Sequence, residues 1–190
     1  RPSIHALVGG ARLRVGARAF FQVNDAAAEL LLGAVREMLG PPAGQRLLDL
    51  YCGVGTFAVP LGREAARVTG VEADLHAAAD ARHNLIANGV PAGRIVPGPV
   101  EQALGTLGSD HDLAVVDPPR RGLTRRAAEA LIRLGIGRMA YVSCNPSTLA
   151  RDLLALARAG YACPAVQPFD LFPQTYHIEA VALLERSAGP

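Results

Sequence analysis

The chain has 190 residues, half of them hydrophobic and 19% charged, with a net charge of +2. That length closes over about one core, the composition excludes a disordered chain, and no apolar run approaches the roughly 18 residues a membrane span needs. Cys52, Cys144 and Cys163 are too few and too scattered for a disulfide framework or a four-ligand zinc site, so a cytoplasmic, metal-free monomer is expected.

The chain opens at Arg1 without Met, and residues 1–24 (RPSIHALVGGARLRVGARAFFQVN) read as short strands or a hairpin, an N-terminal lead from something longer. Residues 25–190 read as one domain. A helix is predicted at about 25–39, and from Arg46 short β-rich runs alternate with helical patterns. The runs are LLDLY, VTGVEA, RIVPG, DLAVVD and MAYVSC, and the helices fall at about 56–67, 74–88, 124–135 and 146–159. Such alternation predicts an α/β fold, a mostly parallel sheet with helices on both faces. The last two runs, YACPAVQPF and HIEAVALLE, have no helix between them and should form an antiparallel pair.

The first strand leads into Asp49-Leu-Tyr-Cys-Gly-Val-Gly-Thr-Phe-Ala58, a glycine loop between strand and helix. Gly53 and Gly55 let the backbone approach a ligand, although glycines also serve plain turns. Glu72 ends the next strand, near the spacing at which a carboxylate reaches ribose hydroxyls. Asp49 at the loop's mouth would repel the pyrophosphate of NAD and favour a cationic ligand such as S-adenosylmethionine. The plain alternative is that both acids cap the helices that follow.

Further on, DLAVVDPPR ends a strand abruptly with two prolines and sets Asp117 on the same sheet edge as Asp49, Glu72 and Cys144. In YVSCNPSTL, Asn145 is a good N-cap and Pro146 suits the first helical position, so Cys144 should stand at a helix N-terminus that favours thiolate. Cys52 and Cys163 lack that setting and read as packing residues. A nucleophilic thiol beside a methyl donor suits carbon methylation of a pyrimidine, because uracil C5 becomes nucleophilic once sulfur adds at C6. The C5 proton must then leave. Glu179, sharing a strand face with His177, Val181 and Leu183, should be desolvated and basic enough to take it, unless it is an edge carboxylate facing water. His177 reads as a structural histidine or a spare base.

Arg120, Arg121, Arg125, Arg126, Arg133, Arg138, Arg151 and Arg158 crowd one segment whose only acids are Glu129 and Asp152. They form either a solvated helix face or a surface facing phosphates, in which case Arg120, Arg121, Arg125 and Arg126 would meet RNA.

FFQVN at 20–24, DLYCGVGTFAVPL at 49–61, VVDPPRRGL at 115–123, YVSCNPSTLARDL at 141–153 and FPQTYHIEAVALL at 172–184 together resemble the RNA 5-methyluridine (uracil-C5) methyltransferase family. The resemblance implies a class I methyltransferase (Rossmann-like) fold, S-adenosylmethionine as cofactor, and a uridine in structured RNA, transfer or ribosomal, as target. It implies Cys144 as nucleophile and Glu179 as base, with Gln22, Tyr51, Thr56, Glu72 and Asp117 at positions that contact the cofactor. Where relatives often place Asn or Asp near the adenine, this chain reads Val96-Pro-Gly-Pro-Val-Glu101. Three rivals stand beside this reading: an amino-group methyltransferase using Asp-Pro-Pro-Arg, a non-catalytic RNA- or cofactor-binding module, and an NAD-binding domain.

Overall fold

The computed structural model describes residues 2–19, 25–90, 92–171, 174–175 and 177–187. An antiparallel hairpin of β1 (Ser3–Val8) and β2 (Ala11–Gly16) precedes α1 (Asp25–Leu39). There follow β3 (Arg46–Leu50), α2 (Ala58–Gly62), β4 (Arg67–Glu72), α3 (Leu75–Ala87) and β5 (Gly93–Pro97). After α4 (Val100–Ala103) come β6 (Leu113–Val116), α5 (Arg125–Leu134), β7 (Arg138–Ser143), α6 (Pro146–Arg158), β8 (Tyr161–Phe169) and β9 (Glu179–Arg186).

The large sheet has the order β5-β4-β3-β6-β7-β9-β8. Strands β5 to β7 are mutually parallel, and β9 pairs antiparallel with both β7 and β8. The chain winds outward from β3 in one direction and then returns to β6 to wind in the other. Ligands of open α/β sheets bind where the order reverses, outside the carboxyl ends of the central strands.

Strands buried on both faces read as near-continuous apolar runs. In β6, Leu113 to Val116 are all buried. On one side of the sheet Leu47, Val115 and Val142 meet Leu31 and Val35 of α1 and Leu85 of α3. On the other side Leu48, Val116 and Tyr141 meet Leu131 of α5 and Leu156 of α6. Caps fix where the helices begin: Asp74 accepts from the His76 and Ala77 amides, Thr124 from Ala127, and Asn145 from Ser147.

Two elements differ from the sequence pattern. The helix predicted at 56–67 is a single turn, because residues 51–57 are consumed by the glycine loop, whose Gly53 and Gly55 have φ of 54° and 93°. The four-residue α4 carries too few positions for a helical period to show. Among the described residues, no helix is long and apolar enough to cross a membrane.

Candidate functional site

The carboxyl ends of β3, β4, β6 and β7 open on one edge of the sheet, and β9 enters from that same edge because it runs against β7. Asp49, Glu72, Asp117, Cys144 and Glu179 therefore come together there from five strands. The β7–β9 register pairs Ser143 with Ala180, which sets Cys144 across from Glu179.

Asp49 is fully buried, and its Oδ2 accepts from the Ala58 amide at 2.7 Å. It caps the turn after the glycine loop, as the plain alternative expected. Its Oδ1, however, is buried and has no partner among the described residues. Burial, followed by the charges of Asp117 and Glu72, holds this carboxyl well above its ordinary range.

Glu72 does not cap α3, a task Asp74 performs. Its Oε2 accepts from the Gly53 amide at 2.8 Å and its Oε1 from the Asp74 amide at 2.7 Å, so it braces the glycine loop from the neighbouring strand. Each carboxylate oxygen keeps a second lone pair for a ligand hydroxyl. A Cβ on Gly53 would meet nothing within 4 Å, which leaves space over the loop, and a Cβ on Gly55 would strike Val59. Tyr51 has φ of 63°, a conformation that costs a bulky side chain energy and is concentrated at functional sites. Its half-buried hydroxyl is pushed up to about 12, first by burial and then by Glu101. Thr56 lies half-buried at the loop's far end.

Pro97 pairs in register with Glu72, and the Gly98 amide donates to the Glu72 carbonyl at 2.8 Å. The Val96–Glu101 segment thus borders the glycine-loop site through backbone held by prolines. Gln22 lies outside the described residues.

Asp117 follows β6 and keeps a partly open surface, yet it is desolvated enough for its carboxyl to rise to about 7, with Glu179 and Glu72 adding repulsion. Cys144 is half-buried. The expectation that a helix N-terminus would favour its thiolate is corrected: the thiol is raised, first by burial, then by Glu179 and Asp117, and Arg120 only partly offsets them. Asn145, not Cys144, caps α6, so the thiol stands one residue outside the helix while two carboxylates face it.

Glu179 is 5% exposed in a strand flanked on both sides, so it is no edge carboxylate, and burial raises it. It shares its face with Val181 and Leu183 as expected. His177 lies before the strand rather than in it, and its Nδ1 is 3.3 Å from an Arg120 Nη2. Cys52 is buried as a packing residue, whereas Cys163, also expected to pack, is exposed because β8 is the sheet's outer edge.

The arginine segment divides. Arg125 pairs with Glu129 at 2.8 Å and Arg151 with Asp152 at 2.8 Å, so both local acids are already engaged. Arg120, Arg121, Arg125 and Arg126 are exposed beside the Asp117 loop.

That loop is held by residues to which the sequence reading gave no part in it. Asp152, 4% exposed, accepts through Oδ2 from the Tyr141 hydroxyl at 2.6 Å and the Leu123 amide at 2.7 Å. Arg151 donates to the carbonyls of Arg121 and Leu123, and Asn145 and Thr148 donate to that of Arg120. A carboxylate on the inner face of an amphipathic helix, three residues past Leu149, was the available signal.

A family model described as tRNA (uracil-5-)-methyltransferase matches residues 108–187, and one described as methyltransferase small domain matches 20–137. A Gloeobacter violaceus protein named as an uncharacterized RNA methyltransferase is 43% identical over 184 residues, covering 97% of this chain and 40% of its own length. A Streptomyces coelicolor protein with the same name is 44% identical over 192 residues, covering 99% of this chain and 42% of its own. The chain thus spans about two fifths of the length of these relatives. The crystal structure of the Pyrococcus abyssi tRNA (uracil-54, C5)-methyltransferase in complex with S-adenosyl-L-homocysteine superimposes with a TM-score of 0.84 at 32% identity, over 97% of this chain and 44% of that one. With the methyltransferase small domain model matching more than half of its length, the chain belongs to that methyltransferase family, and its residues 108–187 match the model described as tRNA (uracil-5-)-methyltransferase.

Proposed function

We propose that this domain methylates C5 of a uridine in structured RNA, transfer or ribosomal, with S-adenosylmethionine as methyl donor, Cys144 as nucleophile and Glu179 as base. The observation that carries this reading is the β7–β9 register, in which Ser143 opposite Ala180 brings the next residues, Cys144 and Glu179, to one place on the sheet edge that also holds the glycine loop.

The residues present fit the cofactor. Glu72 has lone pairs for ribose hydroxyls, Gly53 leaves room above the loop, and the buried Oδ1 of Asp49, without a partner among the described residues, is an acceptor that a donor or cationic group of the ligand would satisfy and a pyrophosphate would not. Tyr51, Thr56 and Asp117 line the same mouth, and Gln22 is assigned with them from its motif. When bound, the cofactor supplies an electrophilic methyl group. The target base must leave its stack to reach a thiol at the end of a strand. The sulfur of Cys144 adds to C6, which places negative charge on C5 and O4, so that C5 would form the bond to the methyl group while the donor's sulfur–methyl bond breaks and a neutral thioether leaves. Glu179, kept basic by burial, then takes the proton from C5 as the C6–S bond breaks and the thiolate leaves. Arg120, Arg121, Arg125 and Arg126 offer charge to the RNA backbone around the site.

The test uses the full-length protein and separates the two residues by the step each serves. Glu179→Gln keeps the shape and loses the basicity, so it should accumulate a denaturant-resistant protein–RNA adduct carrying one transferred methyl. Cys144→Ala should form neither adduct nor product. Full turnover by Glu179→Gln without an adduct would remove Glu179 as the base, and 5-methyluridine made by Cys144→Ala would remove the covalent mechanism, in favour of chemistry that needs no thiol.

A further inference from the structure

Helix α3 treats β2 as a neighbouring strand would. At four-residue intervals stand Asp80 and Asn84 on its inner face and Asn88 at its C-cap, and they meet the backbone of Gly16, Arg14 and Arg12 at two-residue intervals along β2. Four helical residues rise about 6 Å, close to the roughly 6.7 Å span of two strand residues, so the two periods stay in step. Asn88 accepts from the Arg12 amide and donates to its carbonyl, both at 3.0 Å. Asn84 does the same for Arg14, at 2.8 and 2.9 Å, and Asp80 accepts from the Gly16 amide at 2.8 Å.

Asn84 differs from its neighbours in the ladder. It is fully buried, and its Nδ2 also donates to the carbonyl of Val54, between Gly53 and Gly55, at 2.9 Å. A second observation ties the same pieces together: the Val54 side chain, fully buried, packs with Ala6 of β1, Val15 of β2 and Ala77 of α3 in a small core of its own. The glycine loop is therefore fixed to the hairpin through one residue's side chain and through its carbonyl.

We propose that Asn84 is a positioning residue for the cofactor site, locking the β1–β2 hairpin and the glycine loop together so that displacement of either displaces the other. The proposal rests on the glycine loop being the S-adenosylmethionine site. It gives the hairpin a part in cofactor binding although neither strand of it belongs to the main sheet.

Asn88 is the built-in control, since it makes the same hairpin bonds and does not touch the glycine loop. Asn84→Ala should weaken S-adenosylmethionine binding about tenfold by calorimetry, the worth of a hydrogen bond and its local order, while Asn88→Ala stays within about twofold. Equal losses in the two variants would mean that hairpin stability alone matters and would overturn the proposal, as would unchanged affinity in Asn84→Ala. If Asn84→Ala does not fold, the unaltered protein still gives an answer by amide exchange, because coupling between two sites is reciprocal. Saturating S-adenosylmethionine should slow exchange of the Arg14 amide by about tenfold, and an unchanged Arg14 rate would overturn the proposal. Absence of cofactor binding by the unaltered protein is a separate outcome, which refutes the assignment of the loop itself.

Discussion

Replacing Glu179 with Gln should make Cys144 more reactive, although it removes the proposed base. The thiol is raised by burial first and by the Glu179 charge second, so the variant relieves the second cause and leaves the first in place. Side chains directly opposite in an antiparallel pair have Cβ atoms about 5 Å apart, which puts sulfur and carboxylate roughly 6 Å from each other. At an effective dielectric of about 20, two unit charges at that distance repel by roughly 3 kcal/mol. Cys144 is half open to water, so solvent screens most of this repulsion and only a modest part survives. The thiolate fraction at neutral pH then rises. A less basic thiolate is also a weaker nucleophile, which with a Brønsted slope of about 0.45 takes back nearly half of that gain on a logarithmic scale, so the alkylation rate should rise by about two- to threefold. The assay is iodoacetamide labelling followed by mass spectrometry of the Cys144 peptide, in a Cys163→Ser background because Cys163 is exposed. Above the thiol's pKa the order should invert, with the unaltered protein reacting faster. An equal or slower rate for Glu179→Gln at neutral pH would refute the electrostatic coupling of the two residues.

Asp152→Ala strands the Tyr141 hydroxyl and the Leu123 amide in a buried place, and should lower unfolding stability by roughly 2 to 5 kcal/mol in urea titration; a change below about 0.5 kcal/mol would show that the network is not holding the Asp117 loop. Replacing Arg121, Arg125 and Arg126 together should weaken RNA binding and flatten its salt dependence by up to about three phosphate contacts, and an unchanged slope would return them to a solvated face.

The parts of this site that were legible in the sequence are those fixed by where a strand stops. Asp49, Glu72, Asp117 and Cys144 each follow an apolar run that ends in a turn residue, and parallel strands align such ends on one edge. Glu179 was legible for a different reason, as an acid on the apolar face of its strand. What the pattern could not give was the surrounding charge. A helix N-terminus after Cys144 is readable from Asn-Pro, but the opposing carboxylate arrives from a strand 35 residues later, through the β7–β9 register. Asn84 and Asp152 were illegible for a related reason: each is a polar residue on a helix, and its task is set by backbone groups of a loop or strand distant in sequence. Cys163 was misplaced because nothing in its own segment marks β8 as the last strand of the sheet.

The two effects assigned to Glu179 carry opposite signs, and this makes them separable. Its negative charge raises the thiol across the sheet, while in the proposed mechanism its basicity completes the reaction once sulfur has added to C6. A carboxylate that only shaped the pocket would, on replacement by Gln, leave both alkylation and turnover nearly unchanged. One that only held the fold together would lower turnover and expose thiols without preference, so that the buried Cys52 would label along with Cys144. Faster labelling confined to Cys144, together with an arrested methylated adduct, follows from neither alternative. It requires that one ionised group act on the sulfur in the free protein and, as proposed, on C5 in the complex, and the register of β9 against β7 brings Glu179 close enough to Cys144 for the first of these.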